Sequence, residues 1–264
     1  MPLLVTHKQI QDVRHLPFCY LCGKTFEPTD QKNKDHVPPR AVFAKVDRNF
    51  PLELPTHLRC NSKHKLIDEK IGQVISLKHG RVPSLKNLRL RFRIFHSSGG
   101  AATRGAVVNV DIHGAIRRWL GAFHAALYRE PLQAGTRFAI QTPFPEARLS
   151  PGAPQVEPVR DQHLVFVQTI KVNRAAKNLD VIRCNNGKLI YECVWDQADD
   201  GTWICVFALD IYGWKDLGDV HNFSGRGCAG SYLLPSGTAP LPSSKGTKLH
   251  APVPNYDVLD PFGG

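Results

Sequence analysis

Two short pairs of metal-ligand residues constrain the fold of this chain more than any other feature of its sequence. Cys19 and Cys22 are separated by two residues, and His57 and Cys60 repeat that separation further along. Two turns that each supply two Cys or His side chains can enclose one zinc ion tetrahedrally, and four protein ligands leave no open position for chemistry. The two pairs therefore predict a structural zinc site that joins two distant segments.

Further residues between and after these pairs suit a second cation. Asp35 and His36 are adjacent, and Asn61 directly follows the second pair. Side-chain oxygens such as those of Asp35 and Asn61 suit a hard divalent cation, Mg²⁺ or Mn²⁺. Because an imidazole with a pKa near neutrality can take a proton from water, His36 is the candidate general base, its ring held by a neighbouring backbone carbonyl.

Positive charge is concentrated on the same segment. Through position 95 the chain has 18 Lys and Arg against eight Asp and Glu, whereas the remainder has 16 against 15. An excess of this kind attracts a polyanion, so we expect nucleic acid as the partner. Arg40, Lys63 and Lys65 are the candidate phosphate-binding residues. His64 has two open roles, a third metal ligand or a contact to a substrate phosphate.

The segments CYLCG, KDHVPPRAVF and LPTHLRCNSKHK together resemble the HNH endonucleases. The resemblance covers about residues 16–77, roughly a quarter of the chain, and implies a zinc-stapled ββα-metal fold. It also implies that Asp35 and Asn61 bind the catalytic metal and that His36 is the base. Three positions depart from the family pattern. His57 replaces a cysteine, Lys65 occupies a position that is often histidine, and Asn49, the candidate for the middle Asn of the family, is displaced by a few residues.

The resemblance implies an endonuclease that uses Mg²⁺ or Mn²⁺ to hydrolyse phosphodiester bonds in DNA, and by analogy a role in bacterial or phage defence. Two alternatives stay open: a catalytically inactive, zinc-stapled nucleic-acid-binding module, and an RNA-directed nuclease. A homodimer or a partner protein bound through the C-terminal region also stays open. We expect a cytoplasmic protein without membrane contact, because no secretory signal pattern or apolar run of about eighteen residues is present.

The patterning predicts an α+β fold, with the nuclease-like module followed by an amphipathic helix and an antiparallel β-rich region. We divide the chain into an HNH-like zinc-stapled module (1–80), a basic strand and amphipathic helix (81–130), a Pro-rich connection (131–160), the β-rich region (161–233) and a tail that we expect to be disordered (234–264).

Local patterns support this division. Alternating basic and apolar residues over 88–95 predict a strand, and apolar residues at helical spacing after Asp111 predict a helix. Alternation and Asn-Gly or Asp-Gly turns predict antiparallel strands at 163–172, 181–184, 189–195 and 202–211. For the remaining cysteines we expect buried thiols rather than disulfides: Cys184, Cys193, Cys205 and Cys228.

Overall fold

A mostly antiparallel sheet organises the chain. The computed structural model describes residues 2–78, 85–96, 103–107, 109–141, 158–212 and 228–237. Within these ranges the strands are β1 (Leu3–Leu4), β2 (Lys32–His36), β3 (Glu53–His57), β4 (Phe92–His96), β5 (Thr103–Val107), β6 (Arg137–Gln141), β7 (Asp180–Cys184), β8 (Leu189–Gln197), β9 (Trp203–Ile211) and β10 (Cys228–Leu233). The α-helices in the same ranges are α1 (His7–Asp12), α2 (Leu58–Ser62), α3 (Lys65–Lys78), α4 (Ile112–Tyr128) and α5 (Pro158–Ala175). The fold is therefore mixed α and β, which confirms the predicted class.

The main sheet has six strands in the order β1-β7-β8-β9-β10-β6. β1 runs parallel to β7, and the other neighbours are antiparallel. The turn between β7 and β8 places Asn185, Asn186 and Gly187 at φ values of 54°, 55° and 73°. Asn and Gly tolerate this left-handed backbone better than other residues, which explains why the chain turns here. The predicted hairpin of β7 and β8 is therefore confirmed.

Both faces of the main sheet are covered. All nine residues of β9 are buried, and its alternation places Phe207 on one face and Val206 on the other. Helix α5 covers the Val206 face with Phe166 and Ile170, while α4 packs on the Phe207 face. The four cysteines of this region are buried, free thiols, as predicted: Cys184, Cys193, Cys205 and Cys228.

Three predicted assignments in the C-terminal half are wrong. The segment 163–172 is not a strand but lies inside helix α5. Phe166, Val167 and Ile170 lie on one side of that helix and are buried, whereas Val165 stays exposed, so burial follows the helical period. The predicted connection 131–160 contains β6, which pairs with β10. The rest of that connection over 142–157, and the part of the predicted tail from 238 onward, lie outside the described residues. The predicted tail (234–264) starts too early, because Leu234 is buried and its N–H donates to the Trp203 carbonyl at 3.0 Å.

Helix α4 begins where the sequence predicts. The Asp111 side chain accepts a hydrogen bond of 2.7 Å from the Gly114 backbone N–H, which satisfies one of the free donors of the first turn. The apolar stripe of this helix, including Trp119 and Phe123, is buried in a cluster that continues into the N-terminal segment and the main sheet. Helix α4 therefore packs between the predicted nuclease module and the sheet.

The remaining strands form two smaller sheets, in which β2 pairs with β3 and β4 pairs with β5, both antiparallel. β4 overlaps the predicted basic strand, and just before it Leu90 is buried between the exposed Arg89 and Arg91. None of the described helices combines the length and apolar character that crossing a membrane requires.

Candidate functional site

The first ligand pair lies on a tight turn. The Cys19 N–H donates to the Lys24 carbonyl at 2.9 Å, and the Gly23 N–H donates to the Cys19 carbonyl at 2.8 Å. Gly23 has a φ of 72°, a conformation that favours glycine. The turn therefore reverses the chain directly after Cys22 and holds the two cysteines together.

The second ligand pair spans the junction of a strand and a helix. His57 is the last residue of β3, where it pairs in register with Lys32, and Cys60 lies in the first turn of α2. Residues three apart on a helical turn lie on the same side, so His57 and Cys60 point together. The β2–β3 hairpin thus presents the second pair to the first.

The four predicted zinc ligands converge on one position. The ligand atoms of Cys19, Cys22, His57 and Cys60 all lie within 4.8 Å of one another. The Cys22 Sγ and His57 Nδ1 atoms are 3.4 Å apart, close to the separation of about 3.6 Å that tetrahedral zinc requires with ordinary bond lengths. Three thiols and one imidazole form a donor set that suits zinc, so these residues fit a structural zinc ion.

An acidic residue that the sequence interpretation missed supports this site. Asp30 Oδ2 lies 3.1 Å from His57 Nε2, the ring nitrogen that does not face the cysteines, and accepts a hydrogen bond of 2.7 Å from the Glu27 N–H. The Glu27 N–H and the His57 ring lower the pKa of the Asp30 carboxyl. A carboxylate in this position fixes the ring and its tautomer, as in many zinc centres. Its signal in the sequence is only an acidic residue between the two pairs.

Asp35, the predicted ligand of the catalytic cation, lies in a buried polar cluster. Its carboxylate accepts a hydrogen bond from the Tyr20 hydroxyl and lies 3.6 Å from Nη1 of Arg118. Arg118 also forms an ion pair with Asp68 on α3. Neither Arg118 nor Asp68 was identified from the sequence, because only the packing of α4 against α3 brings them to Asp35.

Burial sets the protonation of the groups around Arg118. It raises the pKa of the Asp68 carboxyl to about 6, although the Arg118 guanidinium opposes the shift. Burial and the Arg118 charge lower the pKa of His64, while Asp35 opposes this change. His64 therefore lies within electrostatic range of both Asp35 and Arg118 and favours its neutral form.

His36, the predicted base, faces a different set of partners. Its Nε2 atom lies 2.8 Å from Oε1 of Glu53, and Arg14 Nε lies 3.0 Å from Oε2 of the same carboxylate. Burial lowers the pKa of His36 below its ordinary value of 6.5, although the Glu53 charge opposes the shift. The ring is held by this side-chain carboxylate and not by the backbone carbonyl that we predicted.

The other predicted site residues lie around the start of α3. The Asn61 side chain donates a long hydrogen bond of 3.5 Å to the carbonyl of Lys34, the residue directly before Asp35. His64 lies between α2 and α3, and its backbone N–H donates to the Asn61 carbonyl at 3.0 Å. The candidate phosphate-binding residues are all exposed: Arg40, Lys63 and Lys65.

The predicted catalytic residues do not form a second metal cluster of the same kind. Among the described residues, the group of three or more Cys, His, Asp and Glu side chains close enough to share a metal ion is the four-residue zinc-type cluster. Comparison of the chain with protein-family models, with curated proteins and with solved structures found no match.

Arg118 should be important for stability. Replacing it by methionine leaves Asp35 and Asp68 without their buried cation, so we expect the free energy of unfolding to fall by about 3–5 kcal/mol. The neighbouring Arg117 is exposed, and Arg117→Met should cost no more than about 1 kcal/mol. Chemical denaturation of both variants measures the difference, and equal stabilities would show that the Arg118 cluster contributes nothing.

Proposed function

We propose that this chain is a metal-dependent endonuclease of the HNH type that hydrolyses phosphodiester bonds in DNA. One observation carries the proposal: the zinc-type cluster clamps a β2–β3 hairpin and the following helix α2, with Asp35 and His36 at the end of β2. Asn61 on α2 reaches the backbone beside Asp35. This succession of two strands and a helix agrees with the ββα-metal fold that the sequence resemblance implies.

The zinc-type site and the hydrolytic site have separate roles in this proposal. Cys19, Cys22, His57 and Cys60 would hold zinc as a structural staple with no open position. Asp35 and Asn61 would provide oxygen ligands for Mg²⁺ or Mn²⁺. Mg²⁺ keeps several waters and needs one or two protein carboxylates, so a site with few protein ligands suits it. When bound, the cation offsets negative charge on the phosphate and the leaving oxygen.

His36 would act on the attacking water. Because burial lowers its pKa, the ring is mostly neutral at pH 7 and can accept the proton of a water molecule that attacks phosphorus. The phosphodiester bond to the leaving oxygen then breaks as the new bond forms.

Exposed cationic side chains next to this site support a nucleic-acid substrate. Lys34 directly precedes Asp35, and Arg40 lies four residues after His36. Lys63 and Lys65 follow Asn61. All four side chains are exposed. Exposed lysines and arginines that contact phosphates release bound counterions, which makes affinity depend on salt concentration. We therefore assign these residues to the phosphate backbone and not to base recognition.

The double variant Lys63→Gln with Lys65→Gln should weaken DNA binding because it removes two contacts to backbone phosphates. We expect the slope of log K against log salt concentration to become shallower by about 2, since each lost phosphate contact removes about 0.9. Fluorescence anisotropy with a labelled duplex, without added Mg²⁺, measures the slope. Lys171→Gln is the control, because Lys171 is exposed on α5, which covers the other face of the main sheet. An unchanged slope in the double variant would remove these two residues from the interface.

One observation favours the second candidate, a zinc-stapled nucleic-acid-binding module without catalysis. Asp35 already interacts with Tyr20 and Arg118, so a cation at Asp35 would share that carboxylate with a guanidinium. His36 argues for catalysis, since a module that only binds nucleic acid has no need of an oriented base.

Cleavage assays separate the candidates. Zinc-replete protein is incubated with supercoiled plasmid, single-stranded DNA or RNA, in buffer with Mg²⁺, with Mn²⁺ or with neither. Nicking or linearisation of plasmid that requires the added metal is the expected result. Cleavage of RNA alone would replace DNA by RNA as the substrate, and binding without cleavage under every condition would favour the binding module.

A further inference from the structure

Glu53 occupies a special position relative to His36. The two residues are directly opposed in the β2–β3 ladder, so their side chains lie on the same face of the hairpin. The distance from His36 Nε2 to Glu53 Oε1 is 2.8 Å, and the side chains are 24% and 14% exposed. A contact this short, between half-buried partners on paired strands, restricts the ring more than an exposed ion pair would.

The contact determines which ring nitrogen can accept a proton. A carboxylate offers only acceptor atoms, so a contact of 2.8 Å with Glu53 favours the tautomer with its hydrogen on Nε2 of His36. A neutral imidazole has one donor and one acceptor nitrogen, which leaves Nδ1 as the unprotonated atom. A ring whose Nε2 contacts Glu53 in this tautomer would receive a proton at Nδ1.

The carboxylate of Glu53 is itself held. Its second oxygen, Oε2, forms an ion pair of 3.0 Å with Arg14 Nε. Arg14 lies on the 3₁₀ turn Val13–His15, which precedes the first ligand pair and packs against β3. The two oxygens of Glu53 therefore have different partners, which limits rotation of the carboxylate and, through it, of the His36 ring.

We infer that Glu53 is the positioning residue that orients the His36 base and fixes its tautomer, and that Arg14 holds Glu53 in place. The inference rests on the proposed function, in which His36 takes the proton of the attacking water. Glu53 acts through His36 and does not itself contact the substrate. Arg14 thus contributes to the proposed active site, although it lies before the segment 16–77 that resembles the HNH family.

Kinetics of Glu53 variants test this role. Glu53→Ala should lower kcat for plasmid nicking by about 10- to 100-fold, by analogy with partners that orient metal-binding histidines, and leave KM within about 2-fold. Glu53→Gln, whose amide oxygen still accepts a hydrogen bond, should retain more activity. In a His36→Ala background, Glu53→Ala should cause no further loss. Glu69→Gln, a half-exposed site on α3, is the control. Wild-type kcat in Glu53→Ala, or an additive loss in the double variant, would overturn the inference.

A spectroscopic measurement separates failure of this inference from failure of the nuclease proposal. ¹⁵N NMR of the imidazole, with the His36 signal assigned by its loss in His36→Ala, should show the Nε2–H tautomer in the wild type and a mixture in Glu53→Ala. This readout needs no catalytic activity. An unchanged tautomer in Glu53→Ala would overturn the positioning role even if the wild type cleaves DNA. The expected change in an inactive wild type would support it while rejecting the nuclease.

Discussion

Replacing Cys19 by serine should release zinc and lower the free energy of unfolding by on the order of several kcal/mol, because binding of a structural zinc ion contributes directly to folding. Cys19 is the most buried of the four ligands, and its backbone N–H and carbonyl shape the turn that carries Cys22. A serine hydroxyl is a poor substitute for a thiolate at zinc. Loss of the ion would free the first turn from the β2–β3 hairpin and expose Phe18 and Tyr20.

Zinc content by mass spectrometry and thermal unfolding measure this effect. Cys184→Ala is the matched control, because Cys184 is a buried, free thiol outside the ligand cluster. The control should retain one zinc per chain and lose about 1–2 kcal/mol from its smaller side chain. A Cys19→Ser protein with full zinc content and wild-type stability would show that the four residues are not a structural metal site.

His36→Ala should lower the rate of DNA cleavage by about 10²- to 10⁴-fold, the usual contribution of a general base. The variant should keep its zinc and its affinity for DNA, because His36 is not a ligand of the zinc-type cluster and Glu53 retains Arg14 as a partner. His15→Ala, at an exposed position in the same N-terminal segment, provides the control. Cleavage by His36→Ala within a few-fold of wild type would remove His36 from the mechanism.

The parts of the site that could be predicted are those set by short-range spacing. Each ligand pair lies within four consecutive residues, and a Cys or His pair separated by two residues can point to a shared position with little help from the rest of the fold. The turn at Asn185–Gly187 was predictable for the same reason, since its residues favour positive φ. In both cases the residue types within a few positions favour the observed backbone conformation.

The residues around Asp35 and His36 could not be found in this way. Arg118 reaches Asp35 only because α4 packs against α3, and Glu53 reaches His36 only through the register of β2 with β3. The sequence gives no local sign of either contact. Helix α5 shows the same limit, since its β-branched residues Val165 and Val167 favour a strand locally while burial against the sheet follows the helical period.

The most direct test of the account is the initial rate of plasmid nicking by zinc-replete wild type and His36→Ala as Mg²⁺ is raised from zero, with zinc measured in the same samples. We predict a wild-type rate that rises to saturation with Mg²⁺ at constant zinc content, and a rate at least about 10²-fold lower in His36→Ala. Mg²⁺-independent rates, equal rates for the two proteins, or plasmid binding without nicking at any Mg²⁺ or Mn²⁺ concentration would contradict a metal-dependent nuclease based on His36.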